Sequence, residues 1–198
     1  EYHYQAWKHL ADDEGIPFTH EENDEHLRGV GRRESLEYII RGRKYTEEQI
    51  QEMMKRKNTY YSVLIEHMTP AELVPGGREL LQEMRQQGIK SAIASASKNC
   101  LTVLERLEIV DLFDGIADGN SIVNSKPAPD VFVYAAGLVH VPVTACLGVE
   151  DADAGIEAIK SAGMQALAIG PRERFHRADA VLSSLANLRL AQVLSAGK

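Results

Sequence analysis

The chain has 198 residues, 44% of them hydrophobic, which suffices for a buried core and for one domain carrying a sizeable insertion. Its formal net charge of −7 argues against a protein that binds nucleic acid or acidic membranes, since either needs a basic face. No apolar run approaches the roughly 20 residues of a membrane-spanning helix, and two cysteines are too few for a secreted disulfide scaffold, so we expect a cytoplasmic protein with reduced thiols.

The first part of the chain, residues 1–73, is rich in charged residues and follows a helical pattern. Trp7 and Leu10 fall on one face of a helix that Gly15 ends. The sequence Thr-Glu-Glu-Gln at 46–49 is a capping box and predicts the start of another helix. No strand is predicted here, so we expect residues 1–73 to form a separate unit, called the helical region below.

The second part of the chain, residues 74–198, alternates helices with short apolar strands. Nearly continuous apolar strands between helices are typical of a parallel sheet that is covered on both faces. The sequence therefore predicts a Rossmann-like α/β region, in which ligands bind at the carboxyl ends of the strands. The predicted strands cover 90–95, 115–118, 145–149, 166–169 and 180–182.

Hydroxyl groups follow the first predicted strand, where Ser95, Ser97, Lys98 and Asn99 lead into a helix. Hydroxyls and free backbone N–H groups at a helix start can bind phosphate, and a lysine adds positive charge. The alternative is that a serine simply caps the helix. This segment alone does not decide between the two.

Lys126 follows the second predicted strand, within the sequence Ser-Lys-Pro-Ala-Pro-Asp at 125–130. Two prolines restrict the backbone of this turn, so the lysine is presented from a stiff support. A fixed ammonium group suits the neutralisation of charge on a transferring phosphoryl group. A solvated surface lysine is the alternative.

Two carboxylates, Glu150 and Asp151, follow the third predicted strand and precede a helix. Mg²⁺ takes oxygen ligands and keeps several waters, so one or two carboxylates can hold it at such a position. We predict Mg²⁺ binding here, with the alternative that the acids only complement the helix dipole. Asp153 fits that alternative better than a role as ligand.

The order of these motifs is more specific than any one of them. Ser95, Lys126 and the pair Glu150–Asp151 resemble the second, third and fourth motifs of the haloacid dehalogenase-like phosphotransferases. Longer strings are similar to the β-phosphoglucomutase family within that superfamily, and the similarity weakens only after Gly170. These strings lie at 27–36, 56–58, 94–99, 125–130 and 150–156.

The resemblance implies both a fold and a reaction. The α/β region would be a phosphotransferase core, and the helical region would be its cap domain. The reaction would interconvert β-glucose 1-phosphate and glucose 6-phosphate through an aspartyl-phosphate and a glucose 1,6-bisphosphate intermediate. Mg²⁺ would be the cofactor and a sugar phosphate the substrate, and we expect a monomer.

The resemblance also implies roles for particular residues. Ser95 and Lys126 would bind the transferring phosphoryl group, and Glu150 and Asp151 would hold Mg²⁺. Arg32 would bind the second phosphate of the sugar, where a guanidinium fork fits better than an ammonium. The other substrate-binding residues would be His3, Arg28, Gly29, Ser35, Lys57, Ala96, Lys98 and Asn99. For the histidine, an ordinary surface position is the alternative.

One motif of the family has no counterpart in this sequence. The family's first motif is an apolar strand ending in Asp-x-Asp-Gly, which supplies the nucleophile and the acid/base. Asp12 and Asp13 lie in a predicted helix, 114–118 has the wrong spacing, and 151–153 belongs to the metal motif. Because loss of a central strand would leave buried backbone groups unpaired, we expect the sequence to be an incomplete record of a longer protein.

Two other functions remain open at this point. A phosphatase of the same superfamily would hydrolyse a small phosphate ester with the same motifs. A catalytically inactive fragment or pseudoenzyme would explain the missing first motif. The Arg32 cluster favours the mutase, because an enzyme that retains a bisphosphate must hold both of its ends.

Overall fold

The structure is a computed structural model and describes residues 1–196 of the chain. Within these residues, the helical region contains four α-helices. The first and the fourth helix pack against each other. The predicted capping box is confirmed, since the Thr46 side chain accepts from the backbone N–H of Gln49 and the Gln49 side chain accepts from that of Thr46. The helices are α1 (Tyr2–Asp13), α2 (His20–His26), α3 (Arg32–Ile39) and α4 (Glu47–Glu66).

Apolar side chains from these helices form a hydrophobic core of their own. Trp7 and Leu10 of α1, Leu36 of α3 and Met53 of α4 are buried in it. Gly15 follows α1 with a φ of 60°, which fits its predicted role at the end of this helix. In the part of the chain that the structure describes, no helix is both long and apolar enough to cross a membrane.

The α/β region alternates strands and helices as predicted, and all its strand pairs are parallel. Ile93 lies opposite Ile116 in one pair, and Val149 lies opposite Leu167 in another. The strands are β1 (Ala92–Ala94), β2 (Gly115–Ala117), β3 (Leu147–Glu150), β4 (Gln165–Ile169) and β5 (Ala180–Leu182). The helices are α5 (Gly77–Gln86), α6 (Cys100–Arg106), α7 (Asp130–Leu138), α8 (Asp153–Ser161) and α9 (Leu190–Ala196).

The predicted strands at 90–95 and 145–149 are shorter or shifted in the structure. β1 is limited to three residues. Before it, the Ser91 N–H donates to the side-chain carboxylate of Asp114 and not to a backbone carbonyl, and after it the Ser95 N–H donates to the carbonyl of Ala117. β3 begins at Leu147, since residues 143–145 form a 3₁₀ turn. The apolar pattern located both strands but not their ends.

The strands belong to two sheets that are not hydrogen-bonded to each other in the described residues. One sheet has the order β1–β2 and the other the order β3–β4–β5. All three residues of β1 are half-buried, and Val149 of β3 is 40% exposed, whereas strands inside a covered parallel sheet are normally buried. No residue of the amphipathic helix α5 is buried, and its apolar side chains Leu80, Leu81 and Met84 line the space between the sheets. The two sheets thus present facing edges to one cavity.

Candidate active site

A cavity of about 1560 Å³ lies between the helical region and the carboxyl ends of the strands. It continues between the edges of β1 and β3. Of the predicted site residues, only Asn99 is not part of the cavity lining. The Asn99 side chain donates a hydrogen bond to Asn58, which is part of the lining. The predicted residues in the lining are His3, Arg28, Gly29, Arg32, Ser35, Lys57, Ser95, Ala96, Lys98, Lys126, Glu150 and Asp151.

The Ser95 segment forms a tight loop between β1 and α6. The Ser95 hydroxyl accepts from the backbone N–H of Ser97 at 3.1 Å, and the Ser97 hydroxyl accepts from that of Asn99 at 3.2 Å. The N-cap residue of α6 is Asn99, and its side chain makes no capping bond. The serines therefore shape the loop at the strand end, and the simple N-cap alternative does not describe Ser95.

Lys126 is buried at the carboxyl end of the sheet and faces a carboxylate. Its side chain is 6% exposed, and Nζ donates to Oε2 of Glu150 at 2.5 Å. Nζ also lies 4.8 Å from the centroid of the Phe132 ring. The alternative of a solvated surface lysine is thus wrong. Burial raises the pKa of Glu150, and the neighbouring Lys126 partly offsets this effect.

The two predicted metal ligands differ in their surroundings. Both Glu150 oxygens are engaged, one by Lys126 and the other by the backbone N–H of Asp151 at 3.0 Å. The Asp151 side chain is 57% exposed, and its Oδ2 lies 3.4 Å from Nη2 of Arg28. Two carboxylates fit the oxygen chemistry of Mg²⁺, and Asp151 is the more accessible of them. Within residues 1–196 no third His, Cys, Asp or Glu joins them in a cluster.

None of the other aspartates considered as nucleophile is part of the lining of this cavity. Asp13 accepts from Arg56 and Tyr60, and Asp114 accepts from Lys90. Among the residues that the structure describes, Asp151 is the one aspartate in the lining. The structure therefore agrees with the sequence analysis that none of the other aspartates considered is placed to attack a phosphate in this cavity.

A loop of the helical region approaches the metal motif. A Cβ added to Gly29 would lie 3.0 Å from Cβ of Ala152, and Gly29 has a φ of 74°. Arg28, next to it, contacts Asp151 of the α/β region and Asp24 of α2. This close approach of the two regions needs a residue without a side chain at position 29.

Arg32 and Asn99 converge on one oxygen. Arg32 Nη2 donates to Oδ1 of Asn58 at 2.7 Å, and Asn99 Nδ2 donates to the same atom at 2.9 Å. Two donors, one from each region, thus point at a common position. Asn58 was not assigned a role from the sequence, although it follows Lys57 in a string that resembles the family.

Lys57 is buried within the helical region beside His3. Its side chain is 3% exposed, Nζ lies 2.8 Å from His3 Nδ1, and the rings of Trp7 and Tyr61 are within 5 Å of Nζ, at 4.7 and 4.8 Å. Burial first, and the charge of Arg32 second, lower the pKa of Lys57 to about 7. A lysine that is partly neutral at physiological pH can accept as well as donate a proton.

His3 is an exposed residue, but it lies at the cavity and packs against an aromatic ring. Its ring stacks on Tyr61 with centroids 4.1 Å apart, and the accessible part of the ring lines the cavity. Surrounding protein and the nearby Lys57 ammonium both lower the pKa of His3 well below its usual value. Ser35, 2% exposed, also borders this part of the cavity.

Comparison with known proteins identifies the family. Residues 1–163 match the model of the haloacid dehalogenase-like hydrolases. The chain belongs to this family. The family and the α/β fold class that the motifs predicted are thereby confirmed.

Relatives of known activity narrow the assignment. The chain is 43% identical to β-phosphoglucomutase of Bacillus subtilis over 194 residues, which cover 96% of this chain and 85% of that protein. The crystal structure of β-phosphoglucomutase from Clostridium difficile matches with a TM-score of 0.93 at 37% identity, covering 99% of this chain and 89% of that one. Hexitol phosphatase B of Escherichia coli is 32% identical over 151 residues, which cover 73% of this chain and 67% of that protein. The chain is thus a β-phosphoglucomutase-like enzyme of its family.

Proposed function

We propose that the protein interconverts β-glucose 1-phosphate and glucose 6-phosphate through an aspartyl-phosphate and a glucose 1,6-bisphosphate intermediate. The observation that carries this proposal is that two groups of cationic and polar side chains lie at one cavity, and we infer that each group binds one phosphate. Lys126 and Ser95 form the first, and Arg32 with Asn99 forms the second. A bisphosphate needs a binding group at each end, whereas a monophosphate needs only one.

In this proposal the two groups have different tasks. Lys126 and the Ser95 loop bind the transferring phosphoryl group, and the buried ammonium offsets its negative charge. Arg32 binds the phosphate that is not transferred, through a forked and always charged guanidinium. Asp151, with Glu150 beside it, would hold Mg²⁺, which would lower the repulsion between phosphate oxygens and an attacking oxygen.

We further propose that the nucleophilic and acid/base aspartates are carried by a strand between β1 and β3. Both strands face this space without a hydrogen-bonded neighbour there, and each buried unpaired backbone group costs about 1–3 kcal/mol. The unburied apolar face of α5 borders the same space. An additional apolar strand would pair both edges and cover this face.

The contact between the two regions supports transfer over hydrolysis. Arg28 and Gly29 lie directly against Asp151 and Ala152. This approach would exclude water while a phosphoryl group is bound. A phosphatase is the second candidate, since relatives such as hexitol phosphatase B share the family.

The test is an assay of the natural protein with β-glucose 1-phosphate, Mg²⁺ and a trace of glucose 1,6-bisphosphate. We expect glucose 6-phosphate to form much faster than inorganic phosphate. Stoichiometric phosphate release would replace the mutase by a phosphatase, and no turnover at all would indicate an inactive protein. Intact-mass measurement of the natural protein tests the strand proposal, because one strand and its loop require about 17 to 20 residues.

A further inference from the structure

Arg174, which follows β4 in the α/β region, contacts both parts of the molecule. Its Nε donates to Oδ2 of Asp153 at 2.8 Å, within the α/β region. Its Nη2 donates to the backbone carbonyl of Asp24 at 3.0 Å, in α2 of the helical region. Two nitrogens of one guanidinium therefore join the two regions, through residues 24 and 174 that are 150 positions apart in sequence.

The acceptor in the helical region is a carbonyl without a partner inside its own helix. Asp24 lies in the last turn of α2, which ends at His26, and the last carbonyls of a helix need partners from outside. Arg174 supplies one when the two regions are in contact. If the regions separated, water would have to replace it, so this hydrogen bond exists only in the closed arrangement.

The guanidinium is held in place from its own side. Asp153 fixes Nε, and the ring of Phe175, which is buried, lies 5.3 Å from Cζ of Arg174. The Arg174 side chain is itself only 28% exposed. A side chain that is already ordered loses less entropy when it binds the second region than a mobile one would.

The contact lies directly before the loop that approaches the metal motif. α2 leads through Leu27 into Arg28 and Gly29, which touch Asp151 and Ala152. We propose that Arg174 is a positioning residue that holds the end of α2, and with it the loop at 27–31, against the α/β region. It acts on closure and on exclusion of water, without itself contacting the substrate.

The direct test is hydrogen exchange on the natural protein, compared between the wild type, Arg174→Ala and Arg172→Ala. Arg172 lies in the same loop and is exposed, and within residues 1–196 it has neither a hydrogen bond nor an ion pair, so its variant controls for the lost charge. We expect Arg174→Ala to speed exchange of amides in 20–31 by about three- to tenfold. Exchange in α4 and β4 should stay unchanged, and Arg172→Ala should resemble the wild type.

Two outcomes would overturn the proposal. Unchanged exchange in 20–31 would show that Arg174 does not hold this segment. Faster exchange spread equally over α4 and β4 would show that the residue only stabilises the fold. Arg174→Lys keeps the charge but loses the fork, so its exchange in 20–31 should fall between those of the wild type and the alanine variant.

An activity measurement extends the test and rests on the proposed mutase function. In the natural protein, Arg174→Ala should raise phosphate release per isomerisation about fivefold, because water enters a less closed site. An unchanged ratio would contradict the part of the proposal that concerns water. If the wild type does not isomerise β-glucose 1-phosphate, the mutase proposal fails, while the exchange result still decides the role of Arg174.

Discussion

Lys126 and Glu150 form an ion pair that is almost completely buried, with 6% and 9% of their side chains exposed and 2.5 Å between Nζ and Oε2. The lysine follows a turn with two prolines and the glutamate ends β3, so the pair ties two motifs together at the carboxyl end of the sheet. A phosphoryl group bound at Lys126 would therefore share the ammonium with Glu150. The pair holds the Lys126 side chain in place at the wall of the cavity before the substrate enters.

Breaking this pair should be costly. Lys126→Ala leaves the Glu150 carboxylate buried without its partner, and we expect a loss of about 3 kcal/mol in the free energy of unfolding, measured in urea. Lys160→Ala is the control, because the side chains of its ion pair with Asp179 are 32% and 42% exposed and the pair should contribute less than about 1 kcal/mol. Equal losses for the two variants would contradict the importance of the buried pair.

We expect the loss of Arg32 to weaken binding at the site of the second phosphate and to leave binding at the site of the first largely unchanged. Arg32→Ala removes a charged fork, and we expect glucose 6-phosphate to bind at least about tenfold more weakly by calorimetry. Binding of inorganic phosphate near Lys126 should change little. Arg33→Ala is the matched control, since this neighbour has the same charge and is already paired with Glu37 and Glu47, so we expect its removal to leave glucose 6-phosphate binding largely unchanged. Equal weakening of both ligands by Arg32→Ala would argue against a separate second site.

Asn58 should orient the donors of this second site. Asn58→Ala removes the acceptor shared by Arg32 and Asn99, so both donors lose their common direction. We expect KM for the sugar phosphate to rise about fivefold with little change in kcat. Asn58→Asp should be worse, because a carboxylate would bind the guanidinium and repel the phosphate. Tighter sugar phosphate binding by the aspartate variant would refute this role.

Lys57 should make stability depend on pH. Its pKa is about 7 in the folded chain and about 10.4 in the unfolded chain, so the unfolded chain binds more protons between these values. Stability should therefore rise with pH, by about 2 kcal/mol from about pH 7 to about pH 9. Urea unfolding of Lys57→Met should lack this rise, whereas Lys55→Met, at an exposed position of the same helix, should retain it. A rise that persists in Lys57→Met would have to come from another group.

A comparison of alanine substitutions at Gly29 and Gly42 distinguishes the effect of backbone strain from the effect of contact between the two regions. Both have a positive φ, 74° and 77°, but only Gly29 faces another residue, Ala152, at 3.0 Å. Alanine at either position should cost about 1 kcal/mol of stability through its backbone. Only Gly29→Ala should also speed exchange at 27–31, since its methyl group pushes the loop from the α/β region. Identical exchange in the two variants would mean that the contact at Ala152 is unimportant.

Much of the fold could be predicted because it depends on local patterns. The capping box at Thr46 and the apolar strands around Ile93 and Val149 are written in consecutive residues. The bounds of the strands could not be predicted, since β1 begins only after Ser91, whose N–H binds the side chain of Asp114, a residue 23 positions away. Such long-range bonds compete with the local preference of the chain.

The chemistry of the site could be predicted from three strand ends, because parallel strands bring their carboxyl ends to one edge. Ser95, Lys126 and Asp151 are assembled there as expected. Asn58 was missed because an amide on a helix carries no sign of its partners. Arg174 was missed because it lies after Gly170, where the family resemblance weakens.

By itself, the sequence determined the fold class, the family and the residues that we propose bind phosphate, because these follow from periodicity and from short motifs with fixed chemistry. The tertiary structure decided which side chains are buried and what they face. Lys57 has a low pKa because folding places it among aromatic rings beside Arg32. Lys126 faces Glu150 because folding brings the turn that carries the lysine against the carboxyl end of β3. Burial and electrostatic neighbours are properties of the folded chain, and the free energies of charged groups depend on both.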